Sequence, residues 1–79
     1  MEVDAARTTE ALDILEARVP EAARAMFYGR DGALRKEPAL IITRSLRSSL
    51  TAEQLADKAY RLMTGIPLPE AAATGPAPR

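Results

Sequence analysis

The clearest periodic pattern of apolar and polar positions in the chain lies between residues 50 and 66. Apolar side chains recur there at spacings of three and four, so that they share one face of an α-helix. The members of this stripe are Leu55, Ala59, Leu62 and Met63, with Tyr60 at its edge. Most of the charged side chains fall away from the stripe. The pattern predicts an amphipathic helix whose apolar stripe faces the core.

Signals for both ends of this helix are present. Thr51 and Gln54 have the spacing of a capping box, in which the two side chains satisfy backbone N–H groups at the start of a helix. Gly65 can adopt the left-handed conformation after the last turn, and Pro67 cannot continue a helix. We therefore predict a helix from about Ala52 to Thr64.

A narrower apolar seam predicts an N-terminal helix from about Asp4 to Val19, capped by Asp4. The members of the seam are Ala5, Thr8, Leu12, Leu15 and Val19. We expect the seam to face the core, while pairing with a second copy, as a homodimer, stays open. Pro20 interrupts the pattern. We favour a short second helix that Gly29 ends, the alternative being one kinked helix to Tyr28.

Turn residues and another apolar run follow. The stretch G-R-D-G at residues 29–32 has turn composition, and we interpret residues 29–37 as a loop, with a small hairpin over residues 27–35 as the alternative. Pro38 suits the first turn of a further helix that includes residues 39–47. A turn of about three to four residues should join this helix to the last one, so that the two pack as a pair.

Composition favours an all-α fold with a thin core. Alanine supplies 16 of the 37 apolar residues, and only three residues are aromatic. A chain of this length buries only about 60% of the surface that its unfolded form exposes. We predict a small single-domain bundle of three to four short helices over residues 1–68, followed by a disordered tail, rich in alanine and proline, over residues 69–79.

Missing residue types exclude several kinds of site. Without cysteine or histidine, the chain has no thiolate or imidazole metal ligand, no cysteine nucleophile and no histidine base. Glu53 and Asp57 share a helix face, but no third carboxylate at ligand spacing accompanies them, and Arg61 balances Asp57. We therefore expect no enzymatic activity, no cofactor and no metal.

The sequence carries no signal for a membrane or for export. No apolar run approaches the roughly 20 residues that span a bilayer, and the acidic N-terminus does not resemble a signal peptide. The absence of disulfides fits a reducing compartment. We expect a cytoplasmic protein without a membrane partner.

Charge is unevenly distributed, although the formal net charge is zero. Residues 1–23 carry six acidic and two basic side chains, whereas residues 24–47 carry six basic and two acidic ones. Either the basic section meets an anionic partner, or the two sections are solvated faces that attract each other within the fold.

By elimination, the sequence favours a small protein-interaction module, such as a bacterial or phage regulator or inhibitor. Aromatic and arginine side chains are enriched among the residues that contribute most to protein interfaces. We expect a protein partner to contact Tyr28, Arg30, Arg35, Lys36, Arg44 and Arg47.

The alternative is a DNA-binding regulator of the helix-turn-helix kind over residues 38–64. The stretch L-T-A-E-Q-L-A at residues 50–56 resembles the first helix of many such motifs. Residues 65–69, G-I-P-L-P, stand where the recognition helix would then lie. A chain with zero net charge also lacks the basic balance of an autonomous DNA binder.

Overall fold

The computed structural model describes residues 2–70, and these form an all-α bundle, as predicted. The helices are α1 (Glu2–Arg18), α2 (Arg24–Phe27), α3 (Lys36–Ser45) and α4 (Ala52–Thr64), with a 3-10 turn (Glu21–Ala23) leading into α2. Helix α4 packs against both α1 and α3, so it joins the two halves of the bundle. No strand occurs in the described part of the chain.

Helix α4 begins and ends where the sequence predicts. The Thr51 hydroxyl accepts from the backbone N–H of Gln54 at 3.1 Å, and the Gln54 side chain accepts from the Thr51 N–H at 2.9 Å, which completes the capping box. Gly65 follows with a φ of 85°. Its N–H donates to the carbonyl oxygen of Arg61 at 2.7 Å. Both ends therefore use the local signals that the sequence carries.

The buried face of α4 differs from the predicted stripe. Its members are Ala52, Leu55, Ala56, Ala59 and Tyr60. Tyr60 is 2% exposed and stacks on Phe27, with ring centroids 5.4 Å apart, whereas Leu62 is 63% exposed. Residues that are two positions apart in a helix differ by about 200° around its axis, so a helix that buries Tyr60 turns Leu62 outward. The prediction that Leu62 lies in the core is wrong.

Helix α1 faces the core with the C-terminal part of the predicted seam, whereas Ala5, at the start of the seam, is exposed. Leu15 and Val19 are buried. Asp4 is not the N-cap, because the helix begins at Glu2; it lies within the helix and pairs with Arg7 at 2.9 Å. The chain leaves the helix before Pro20, so the short second segment is confirmed and a single kinked helix is not formed.

The segment from Tyr28 to Leu34 reverses the chain through a single antiparallel bridge between these two residues. The Gly29 N–H donates to the Ala33 carbonyl at 2.8 Å. Gly29 directly follows Tyr28, the C-cap residue of α2, and so stands at the predicted C′ position, but the positive φ, of 83°, belongs to Gly32. The hairpin alternative therefore describes the reversal better than an open loop does, and α3 begins at position 36, inside the predicted loop.

The connection between α3 and α4 is held by Arg7 from α1. Six residues separate the two helices instead of three to four, because α3 ends at Ser45, before the predicted Arg47. The Arg7 guanidinium donates to the backbone carbonyls of Leu46 at 2.7 Å, Ser48 at 3.0 Å and Leu50 at 2.7 Å. It thus supplies donors to three carbonyl groups of the connection, which has no regular secondary structure to satisfy them.

The chain after α4 folds back onto the bundle. Leu68 is 6% exposed, and its N–H donates to Oδ1 of Asp57 at 2.8 Å. The next residue, Pro69, accepts a hydrogen bond at its carbonyl from Nε of Arg18 at 2.8 Å. The bundle therefore reaches one residue into the predicted tail. From residue 71 onward, that tail lies outside the described residues.

Candidate partner-binding surface

The six residues predicted to contact a partner fall into two groups, one near each end of α3. Four lie around the reversal and the start of α3: Tyr28, Arg30, Arg35 and Lys36. Arg44 lies in the last turn of α3, and Arg47 follows the helix. Lys36 and Arg44 are eight residues apart, which is about 12 Å along the axis.

The aromatic member of the first group is engaged within the chain. The Arg24 guanidinium lies 4.7 Å from the centroid of the Tyr28 ring, and it also pairs with Glu16 at 2.9 Å. Burial of the Tyr28 phenol, followed by the nearby Glu16 carboxylate, raises its pKa above the ordinary 10.0. One face of this ring is thus covered, which reduces the area that it can offer to a partner.

The basic members of the first group lie at the surface. Arg30, Arg35 and Lys36 are exposed. The Arg35 guanidinium donates to the carbonyl of Ala25 at 3.2 Å, which ties the reversal to α2. Arg35 and Lys36 line an open depression of about 580 Å³ beside the turn.

An apolar cleft lies on the surface between α2, α3 and α4. Its volume is about 520 Å³. It is lined by Met26, Leu40, Ile41, Leu62 and Met63, with Glu37 and Arg44 as its charged residues. The side chains of Met26, Leu40 and Leu62 are 41%, 39% and 63% exposed. Apolar side chains from three helices therefore stay partly in water around one depression.

No sequence pattern predicts the whole cleft, although an apolar run in α3 indicates the side of it that α3 forms. Leu40, Ile41 and Ile42 are consecutive, so they cover about 200° of a helix surface. A helix buries only one stripe against a core, and only Ile42 of the three is fully buried here. The run therefore requires an apolar side chain on the outer side of α3, and Leu40 is that residue.

Three basic side chains lie on the two longer helices that form the cleft. Lys36, Leu40 and Arg44 follow one another at four-residue spacing, so they form one row along α3. On α4, Lys58 lies one turn before Leu62 on the same face. The four ion pairs formed within residues 4–70 include none of these three cations. Glu37 is the one acidic and Arg44 the one basic side chain that line the cleft, and Lys36 and Lys58 add two cations on the same two helices.

No family model, curated protein or solved structure matches this chain. The arrangement of the described residues is therefore the basis for a functional proposal. Within residues 2–70, no three acidic side chains are grouped so that they could hold a metal ion. No helix in the same range has both the length and the apolar character to cross a membrane.

The DNA-binding alternative needs a recognition helix. After α4, residues 65–70 form no helix, and Leu68 is buried against the bundle. If α4 itself entered the groove, the acidic Glu53 on its exposed side would meet phosphates. Neither arrangement presents a basic helix face of the kind that this class of protein uses.

Proposed function

We propose that this chain is a non-enzymatic protein-interaction module, a cytoplasmic regulator or inhibitor of a bacterial or phage kind, which binds a partner protein through the apolar cleft. The observation that carries this proposal is the exposure of Met26, Leu40 and Leu62 around one depression. Covering apolar surface contributes about 25 cal/mol per Å². A partner that fills the cleft therefore gains binding energy that the isolated chain does not use.

The arrangement of charge around the cleft supports the same proposal. Protein interfaces combine a desolvated apolar centre with a polar rim, and arginine is enriched in them. Arg44 lines the cleft, Lys36 directly precedes the lining residue Glu37, and Arg47 follows α3. Contacts of a partner with Lys36 and Arg47 stay a prediction. Contacts from Tyr28, Arg30 and Arg35 stay a prediction for a partner that extends over the reversal.

A non-enzymatic role is supported by the kinds of titratable group that are present. Burial alone would raise the pKa of Asp57, but the Leu68 N–H and the neighbouring Arg61 lower it below the ordinary 3.8. The hydrogen bond from Leu68 holds the segment that follows α4 against that helix. The raised pKa of Tyr28 likewise has a structural cause in its burial. Both shifts are thus explained by burial and by neighbouring charges or hydrogen bonds, and the chain has no histidine or cysteine that could act beside these groups.

The test compares partner capture by the tagged full chain, by Leu62→Ser and by Ile66→Ser from native lysate of the source cells. Leu62 and Ile66 are 63% and 55% exposed, so neither substitution removes a core side chain, but only Leu62 lines the cleft. We expect a protein captured by the wild type and by Ile66→Ser to be lost with Leu62→Ser. Circular dichroism checks that both variants stay folded.

A captured set that is the same for all three proteins would contradict the proposed surface. Loss of the partner with Tyr28→Ala plus Arg35→Ala, but not with Leu62→Ser, would move the binding site to the reversal. Capture of nucleic acid instead of protein would favour the DNA-binding alternative.

A further inference from the structure

We propose that the cleft receives an acidic amphipathic helix of the partner. This inference rests on the proposed function and specifies what fills the surface. On α3, a cation, an apolar side chain and a second cation follow one another as Lys36, Leu40 and Arg44. A partner helix lying along α3 would match this row with an acidic, an apolar and a second acidic side chain at spacings of three or four. Its two acids would then lie about 10 to 12 Å apart.

The second helix at the cleft repeats this arrangement. Lys58 and Leu62 are four residues apart on α4, so a cation again precedes an exposed apolar side chain by one turn. An incoming helix that places its apolar stripe between Leu40 and Leu62 would therefore find cations on both sides. Helices that bind in grooves use an apolar stripe with anchors at such spacings, and opposite charge at the rim selects the partner.

Residues 71–79 do not fit the cleft. Residues 71–79 contain no apolar side chain larger than proline, and their one charged side chain, Arg79, has the same sign as the rim. A segment of alanine, proline and glycine cannot fill a cleft of about 520 Å³ with anchoring side chains.

A second copy of the chain does not fit either. In a two-fold contact the same surface meets itself, so the cations of each cleft would approach those of the other. A contact between the cleft and the acidic α1 of another copy would be heterologous, and it would build a ring or an open filament instead of a two-fold pair. Nucleic acid lacks an apolar stripe, and the aliphatic lining offers no aromatic ring on which a base could stack.

Glu37 allows the effect of charge on binding to be tested in both directions. Its carboxylate lines the cleft together with the Arg44 guanidinium, so the two have opposite effects on an acidic ligand. Glu37→Gln should strengthen binding of an acidic helix, and Arg44→Gln should weaken it, each by about threefold for a rim charge. A merely structural role for either residue would not produce opposite changes.

The experiment uses fluorescein-labelled synthetic peptides and the purified full chain in fluorescence anisotropy. The peptides have about 18 residues, because shorter helices are marginal in water. All carry the same leucine stripe and differ only in its flanking residues, which are glutamate, glutamine or lysine. A DNA duplex of about 20 base pairs serves as a polyanion without an apolar stripe.

We expect the glutamate peptide to bind more tightly than the glutamine peptide, and the lysine peptide to bind most weakly. Raising the salt from about 50 to about 300 mM should reduce the difference. Leu62→Ser should weaken the glutamate peptide about tenfold, since one buried leucine is lost from the contact. Ile66→Ser should leave its affinity unchanged.

Three results would overturn the inference. They are absence of binding by the glutamate peptide at about 100 μM, equal affinity for the three peptides, and equal binding of the DNA duplex. If the peptides fail in this way while partner capture from lysate still depends on Leu62, the proposed function stands and only the acidic helix is wrong. If capture also fails, both are wrong.

Discussion

Replacing Arg7 by methionine tests whether one side chain holds the α3–α4 connection against α1. Methionine keeps an unbranched apolar stem and a high helix propensity, so the substitution removes the guanidinium with little other change. That group donates to three backbone carbonyls, and it pairs with Asp4 at 2.9 Å. The Arg7 side chain is only 17% exposed. The loss should therefore be far larger than for an ordinary surface arginine.

The expected magnitude follows from these contacts. A hydrogen bond to a charged group contributes about 1.5 to 3 kcal/mol, and we take about 1 kcal/mol for each carbonyl here, because water reaches part of the site. The Nε of Arg7 is buried without an acceptor, which costs about 1 kcal/mol that methionine would relieve. The net loss is about 2 to 3 kcal/mol. A folded region of this size has a free energy of unfolding of about 4 to 10 kcal/mol, so the variant loses a large fraction of its stability.

Urea unfolding followed by circular dichroism at 222 nm measures this loss. With an m-value of about 1 kcal/mol/M, the midpoint should fall by about 2 to 3 M, and Tm should fall by about 10 to 20 °C. The control is Arg30→Met, at an exposed position whose side chain makes no hydrogen bond within residues 4–70. It should change the free energy of unfolding by less than about 0.5 kcal/mol. If Arg7→Met matches this control, the guanidinium does not hold the connection.

Three further predictions concern α4 and its neighbours. Gly65→Ala should cost about 1 kcal/mol in thermal unfolding, because a Cβ meets nothing within 4 Å and only the positive φ opposes it. The lowered pKa of Asp57 contributes stability above pH 3.8 that is lost as the pH falls towards the folded-state pKa; Asp57→Ala should remove this dependence in an acid titration of unfolding. A double-mutant cycle of Phe27→Leu with Tyr60→Leu should give a coupling of about 0.5 to 1.5 kcal/mol, and additive losses would argue against the ring stack.

The ends of α4 could be predicted because their signals act locally. The capping box joins Thr51 to Gln54, and the stop depends on the φ that Gly65 adopts, so neither needs knowledge of the rest of the fold. The buried face of α4 could not be predicted in the same way. Tyr60 and Leu62 are both large and largely apolar, and the helix can bury only one of them. Phe27, from a different helix, decides between them by stacking on Tyr60.

The contacts of Arg7 lie beyond any sequence pattern. Its carbonyl partners are 39 to 43 residues away along the chain, and a backbone acceptor carries no residue type that a spacing could reveal. The apolar cleft is hidden for a similar reason, because three helices must meet before Met26, Leu40 and Leu62 become neighbours. Arg44, predicted as a contact residue, does line the cleft, whereas Tyr28 is partly covered by Arg24.

The ring stack and the cleft are two consequences of the same orientation of α4. Turning the helix so that Leu62 entered the core would bring Tyr60 out and separate it from Phe27. A buried aromatic side chain removes about 150 to 250 Å² from water, more than a leucine does, so the observed orientation is the more stable one. Leu62 is then left at the surface without a role in the core. Changes at Tyr60 should therefore alter stability, and changes at Leu62 should alter partner binding in a chain that stays folded.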